Sequence, residues 1–463
     1  MTLVIVGILI VGYLLIATER WNNLNKSSVA MFLGVMGWVL YMFNGTGYVQ
    51  NMHGAEYAEF LGSAVSTPET VKAFIASHVF MHYVTSACEV ILFIIATSSI
   101  IEVLHANEVF NFLGEWMRTR NSRRLLWTFS IVTFLISANI DNLTSAVTML
   151  FLLRKMIPGE RERLYFSCVI LMAANTGGCF TAIGDMTSLI LWTKEAITPS
   201  AFAGHLFLPS LTALLVITYL ASRKLPEQVR INSSLGAYRG DDSYLPRWQR
   251  IVLLVVGIGG LWAIPTFHSI TLLPPFVGAL CVMSLLWVLV HLFTLNKLTV
   301  IPSSSNHLPW NLQTSDTSQI LFFMGIALAV GAICETGAIQ AFATWCDTYI
   351  HNIYILTAFF GLVSSVFDNI PLIITSCSMY SVQGPESLGY MQAFAQNGDY
   401  WNLLSFCTAM GGTLLTIGTV AGFAVTSIER IPFLWYINRF SWMVLTGWGA
   451  GLIVYYATAL ALS

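Results

Sequence analysis

Apolar residues fill this chain in long blocks separated by short polar stretches. Blocks of about 20 residues recur near 2–18, 28–43, 74–104, 165–194, 200–222, 250–267, 271–293, 319–337, 401–430 and 433–461. Each is long enough for a helix to cross a hydrocarbon core about 30 Å thick. The pattern predicts an all-α polytopic membrane protein with almost no extramembrane domain. Composition strengthens this: 56% of the 463 residues are hydrophobic and 10% are charged, against about 25% charged in soluble domains. The first block has no basic leader and no clear small-residue cleavage site, so it reads as a retained span rather than a signal peptide. A net charge of −2 leaves no basic stripe and no nucleic-acid partner. The eight cysteines are scattered without a C-x-x-C and suit apolar packing better than disulfides or metal sites.

Two stretches interrupt the apolar pattern in the same way. "SANIDNLTSAV" (137–147) carries Asp141 between Asn139 and Asn142, and "SSVFDNIPLII" (364–374) carries Asp368 and Asn369, 227 positions later (368 − 141). A carboxylate at the bilayer centre costs about 2.5–3.5 kcal/mol on insertion scales, which argues for a function. The competing reading is an Asp that caps a turn through its own backbone bonds.

The flanking charges set the topology. "RTRNSRR" (Arg118, Arg120, Arg123, Arg124) and "RKMIPGERER" (Arg154, Lys155, Arg161, Arg163) surround residues 125–153, and positive loops lie on the cytoplasmic side. Both basic loops belong there, so 125–153 is expected to be a re-entrant hairpin with its tip near Asn139 to Asn142. Each arm of about 14 residues rises roughly 20 Å. The segments 338–352 and 381–399 contain no Lys or Arg, so a hairpin over 355–380 is expected to enter from the outside. Arg223, Lys224, Arg230, Arg239, Arg247 and Arg250 place 223–250 inside, with Glu429, Arg430 and Arg439. Five spans and a hairpin then occur twice. Five is odd, so the halves are expected to be inverted, with both termini outside. The division is 1–222, a cytoplasmic linker 223–249, and 250–463.

A second motif repeats after each hairpin. "NTGGCFTAIGD" (175–185) and "AMGGTLLTIGT" (409–419) share x-x-G-G-x-x-x-x-I-G-x. Paired glycines are poor helix material and predict breaks within the spans 165–194 and 401–430. Irregular backbone at that depth is tolerated where it is buried or lines a cavity, and transporters build midplane ion sites that way. Gly177, Gly178, Gly411 and Gly412 are expected to permit close backbone approach. Asp185 ends the first motif and Thr419 the second, so the symmetry is broken there. Asn142, Asn369, Asn175, Ser137, Ser364, Thr181, Thr413 and Thr416 are candidate oxygen donors for a hard cation; local side-chain-to-backbone bonding is their structural alternative. Glu335 is a candidate proton relay or half of a buried pair, as are Glu89 and Glu102. His78 and His82 lie one turn apart without an evident third metal ligand.

At these motifs the sequence resembles the NhaD family of sodium–proton antiporters, within the ion transporter superfamily. The likeness is carried by "NIDNLTSAVTMLFLLRKMI", "AANTGGCFTAIGDMTSLILW", "FFMGIALAVGAICETGAI" and "GGTLLTIGTVAGFAVTSIERIPFLWYINRFS", and by "EVILFIIATSSIIEVLHANEVF" (89–110). The resemblance implies exchange of sodium or lithium for protons, with no cofactor beyond the transported ions. It also implies a scaffold part and a transport part that moves like an elevator, a homodimer in the bilayer, and an interfacial arm over 103–122. A bacterial inner-membrane location is expected. A midplane carboxylate can hold either a proton or a cation, so the two compete for Asp141, Asp185 or Asp368. Sodium-coupled uptake of a carboxylate or other anion is the alternative on the same fold. Against it, no Arg or Lys falls within either tip or either Gly-Gly motif. An intramembrane hydrolase would need two Asp on facing helices, so no enzyme activity is expected.

Overall fold

The structure, a computed structural model, describes residues 2–22, 24–107, 109, 117, 119–229, 245–295, 314–384 and 386–462. Helices dominate, and no strand lies among the described residues. The first half contains α1 (Thr2–Ala17), α2 (Lys26–Phe43), α3 (Gly45–Met52), α4 (Gly54–Leu61), α5 (Pro68–Ala106), α6 (Ser122–Ser137), α7 (Asn142–Met156), α8 (Glu160–Gly178), α9 (Met186–Thr193) and α10 (Pro199–Ser222). The second contains α11 (Arg247–Thr271), α12 (Pro275–Leu295), α13 (Thr314–Cys334), α14 (Ala338–Tyr349), α15 (Ile353–Ser364), α16 (Asn369–Met379), α17 (Asp399–Gly412), α18 (Val420–Ile428) and α19 (Phe433–Ala461).

Local chemistry fixes many of the ends. Asn25 caps α2 by accepting from Ser27 N at 2.8 Å. Thr67 and Thr70 form a capping box ahead of α5, with Pro68 in its first turn, where the missing N–H costs nothing. α5 then runs 39 residues, roughly 58 Å, with a π-helical turn over Ile75–Phe80.

Seven helices among the described residues are long and apolar enough to cross a membrane: α2, α5, α10, α11, α12, α13 and α19. This is fewer than the apolar blocks suggest. The block 165–194 is divided between α8 and α9 by the non-helical residues 179–185, and 401–430 between α17 and α18 by residues 413–419. α1 has only 16 residues. The stretch 338–352, read from sequence as a loop, is mostly the helix α14. Its buried residues Ile339, Ala343 and Cys346 fall at i, i+4 and i+7, one face of a helix. The interfacial arm expected over 103–122 falls partly outside the described residues, as do Arg118, Arg230 and Arg239.

The halves interlock. α2 packs along α13, α10 along α19, α7 against α18, and α9 against α16. The core runs through the divided helices, where Phe166, Tyr400 and Trp401 are fully buried, and takes in Tyr436 of α19. A smaller aromatic cluster of Trp38, Tyr41, Tyr48, Tyr57 and Phe74 joins α2 to α3, α4 and α5. Only 22% and 17% of the apolar windows of α11 and α12 are buried, against 72% for α13, so α11 and α12 present the outer apolar faces and α13 is interior.

Candidate ion site

Four half-helices begin at the centre of this core, and each begins at an oxygen. Asp141 caps α7, its Oδ2 accepting from Leu143 N at 3.2 Å and Thr144 N at 3.3 Å. Asp368 caps α16, its Oδ1 accepting from Ile370 N at 3.2 Å. Asp185 caps α9, its Oδ1 accepting from Thr187 N at 3.4 Å. Thr419 caps α18, its Oγ1 accepting from Gly422 N at 3.0 Å. The caps also pair in backbone geometry: φ, ψ of −42°, 140° and −56°, 143° at Asp141 and Asp368, and of −142°, 146° and −138°, 145° at Asp185 and Thr419.

These bonds explain why polar residues stand in an apolar stretch: they satisfy N–H groups that a helix start leaves without partners. Capping and ion binding are compatible, because a cap uses one carboxylate oxygen and a carboxylate has two. Asp185 shows it most plainly. The residue is 4% exposed, its Oδ1 caps α9, and its buried Oδ2 has no hydrogen-bond partner. The same carboxylate lies within electrostatic range of Asp141 and, more weakly, of Asp368.

Matched contacts hold each Asp-bearing turn against its divided helix. Ser137 Oγ donates to Ala174 O at 2.6 Å, and Ser364 Oγ to Thr408 O at 2.9 Å. A Cβ at Gly177 would overlap the Phe134 backbone, and one at Gly411 the Gly361 backbone. Gly184 and Gly418 lie against the carbonyls of Ser137 and Ser364, and against Gly178 and Gly412. Thr181 Oγ1 donates to Ala138 O at 2.8 Å and accepts from Gly184 N at 3.0 Å. Thr413 Oγ1 donates to Met410 O at 2.6 Å. Ser137, Ser364, Thr181 and Thr413 therefore spend their protons on backbone and keep only lone pairs for a cation.

A polar chain links the two halves. Asn142 Nδ2 donates to Asn175 Oδ1 at 3.1 Å, and Asn175 Nδ2 to Thr419 Oγ1 at 3.4 Å. Asn369 is buried beside Asp368. Thr416 sits at φ 62° with its buried Oγ1 unpartnered; positive φ in a β-branched residue is strained and is tolerated where the surroundings enforce it.

Sequence reasoning missed a cation at this centre. Lys26, in the first turn of α2, places Nζ 3.5 Å from Asp368 Oδ2 and 4.6 Å from the Phe322 ring centroid. No local pattern could pair residues 342 positions apart (368 − 26). A cavity of about 30 Å³ lies between Lys26, Asp368, Thr416 and Thr419. A larger one of about 610 Å³ runs from Glu19, Lys26, Glu102 and His105 to Leu143 and Thr144 at the first tip.

Glu335 belongs elsewhere. Its Oε2 is 2.7 Å from His53 Nε2, its Oε1 accepts from Tyr83 OH at 2.9 Å, and His53 Nδ1 is 3.0 Å from Glu56 Oε2. Burial alone would lower the His53 pKa, but Glu335 and Glu56 more than offset it and hold it above 6.5. The folded value is raised, so this contribution to stability is complete below the ordinary pKa of about 6.5 and is lost as pH rises through the raised value. Thermal midpoints in detergent are expected to fall across that window, and His53→Gln to flatten the fall. Parallel curves for the two proteins would remove His53 from the explanation.

A family model described as citrate transporter (CitMHS) matches residues 13–395. Sodium/proton antiporter 2 of Arabidopsis thaliana is 29% identical over 450 residues, which cover 96% of this chain and 97% of that protein. The Na(+)/H(+) antiporter NhaD of Vibrio cholerae serotype O1 is 25% identical over 473 residues, covering 96% and 89%, and that of Alkalimonas amylolytica is 24% identical over 492, covering 98% and 89%. With 383 residues matched (395 − 13 + 1) out of 463, the chain belongs to the citrate transporter (CitMHS) family of membrane transporters, and its nearly full-length likeness is to sodium/proton antiporters.

Proposed function

We propose that this protein exchanges sodium or lithium for protons, and that Asp185 and Asp141 hold the exchanged ion. The observation that carries the reading is the buried, unpartnered Oδ2 of Asp185. A buried carboxylate oxygen without a donor is costly, and either a proton or a small cation relieves that cost. The two compete for one position, so alternating access exchanges them. Asn142, Asn175, Ser137 and Thr181 supply neutral oxygens in the same half; Asn369, Ser364, Thr413 and Thr416 supply them in the other.

Two inverted halves account for the contacts that recur 227 and 234 positions apart (364 − 137; 411 − 177). In this reading α6–α7 and α15–α16 are re-entrant hairpins entering from opposite faces. The cavity beside Glu19, Glu102 and His105 opens to the cytoplasm, and the hairpins move with the divided helices in an elevator. The chain works as a homodimer in a bacterial inner membrane.

The family description and Lys26 favour a second reading, carriage of a carboxylate anion. Charge weighs against it. Asp141, Asp185 and Asp368 with Lys26 sum to −2 (−3 + 1), and the ammonium is already paired with Asp368.

The test uses everted vesicles from a host lacking its own sodium antiporters, energised and followed with a pH-sensitive dye. Sodium and lithium are expected to collapse the gradient, and potassium and citrate to leave it. No response to cations together with citrate uptake would overturn the reading.

A further inference from the structure

The two tips match in backbone and in contacts but not in charge. The first half places two carboxylates at the centre, Asp141 and Asp185. The second places Asp368 alone, because Thr419 stands where Asp185 stands, and that single carboxylate is met by Lys26 at 3.5 Å. Lys26 thus sets a cation against Asp368, whereas the carboxylate nearest in effect to Asp185 is the like charge of Asp141.

Helix chemistry does not explain the position of Lys26. A cation in the first turn opposes the helix dipole, and Asn25 already caps α2 through Ser27 N. What holds the ammonium is tertiary: Asp368 on one side and the face of Phe322 on the other. The remaining space is that of an ion site. The cavity beside this pair, about 30 Å³, is the room of one water. Thr416, with its unpartnered Oγ1, and Thr419 line it.

We infer that Lys26 is a built-in cation occupying the second of two repeat-related sites, so that each chain binds one sodium, at Asp141 and Asp185, and none at Asp368. Lys26 thereby sets how many ions the protein takes. A second sodium beside Asp368 would meet a fixed like charge, and Glu19, the other carboxylate on this cavity, is already turned to the backbone N–H of Lys26, 3.2 Å from its Oε1. Removing that charge frees Asp368, Thr416 and Thr419 to take one.

The inference rests on the cation-exchange reading, and equilibrium binding of ²²Na⁺ to the purified full chain separates the two. The wild type is expected to bind one sodium per chain, Lys26→Gln and Lys26→Met two, Lys26→Arg one, and Lys26→Gln with Asp368→Asn one again. Size-exclusion profiles in the same detergent identify folded variants. Two sodium ions on the wild type overturn the inference without any variant. One sodium on the wild type and on folded Lys26→Gln overturns it while leaving the exchange reading intact. No sodium on the wild type overturns both.

Discussion

Asp185→Asn is expected to abolish the sodium-dependent collapse of a pH gradient while leaving the protein folded. Asn caps helices as well as Asp does, so its side-chain oxygen keeps the bond from Thr187 N and α9 keeps its start. What disappears is the charge on the oxygen that makes no hydrogen bond; the nearby Thr187 hydroxyl is likewise unpartnered. With that oxygen on Thr187 N, the amide turns its NH2 group, a donor, toward the ion. Bonds to charged groups contribute about 1.5–3 kcal/mol, so sodium affinity drops roughly 10- to 150-fold. Transport falls further, because the amide cannot take up the proton that must exchange with sodium. Undiminished sodium-dependent exchange in this variant would move the ion site away from Asp185.

How much of this centre the sequence showed depends on whether the signal was local. The Asp-Asn pairs and the Gly-Gly motifs stand out because each breaks an apolar run, and helix ends fall there: α8 ends at Gly178 and α17 at Gly412. The glycines could be assigned to close approach, since two neighbouring backbones leave no room for a Cβ at Gly177 or Gly411. The four caps were half visible. Asp and Thr at a helix start are a capping signal, yet only the structure shows which oxygen caps and which remains, and that division makes Asp185 unlike Asp368. Lys26 was invisible, because ion pairs across 342 positions (368 − 26) depend on how α2 docks on α13. Of the two readings of Glu335, a proton relay or half of a buried pair, the structure shows the pair. Its partners His53 and Tyr83 lie 282 and 252 positions away, and they hold it in a cluster of its own. α14 was missed for a different reason: it is too short to read as a span, although its apolar positions keep helical spacing.

Long-range pairing also underlies the largest stability effect expected. Glu429 ends α18, where the helix dipole disfavours an anion, so its position needs a partner. Arg163 supplies it: Nε lies 2.8 Å from Glu429 Oε2, and Nη1 donates to Ile157 O at 2.9 Å and Pro158 O at 3.0 Å. Arg154, at the end of α7, adds a more exposed contact, 3.4 Å from Oε1. The end of α7, the start of α8 and the end of α18 are thus tied by one carboxylate. Glu429→Gln leaves the buried Arg163 charge without its counter-ion, a loss of about 3–5 kcal/mol for breaking a buried pair. Arg163→Met strands the carboxylate instead, with Arg154 as a partial substitute, and costs less. Replacing both, as Arg163→Met with Glu429→Leu, removes the unpaired charge and is expected to recover most of the loss, short of the bonds to Ile157 O and Pro158 O. Thermal unfolding of the four proteins in one detergent forms a double-mutant cycle. A double variant as damaged as the sum of the singles would mean that the pair is not coupled, and that α18 is fastened to the first half by its packing on α7 and α8 and the Asn175–Thr419 bond.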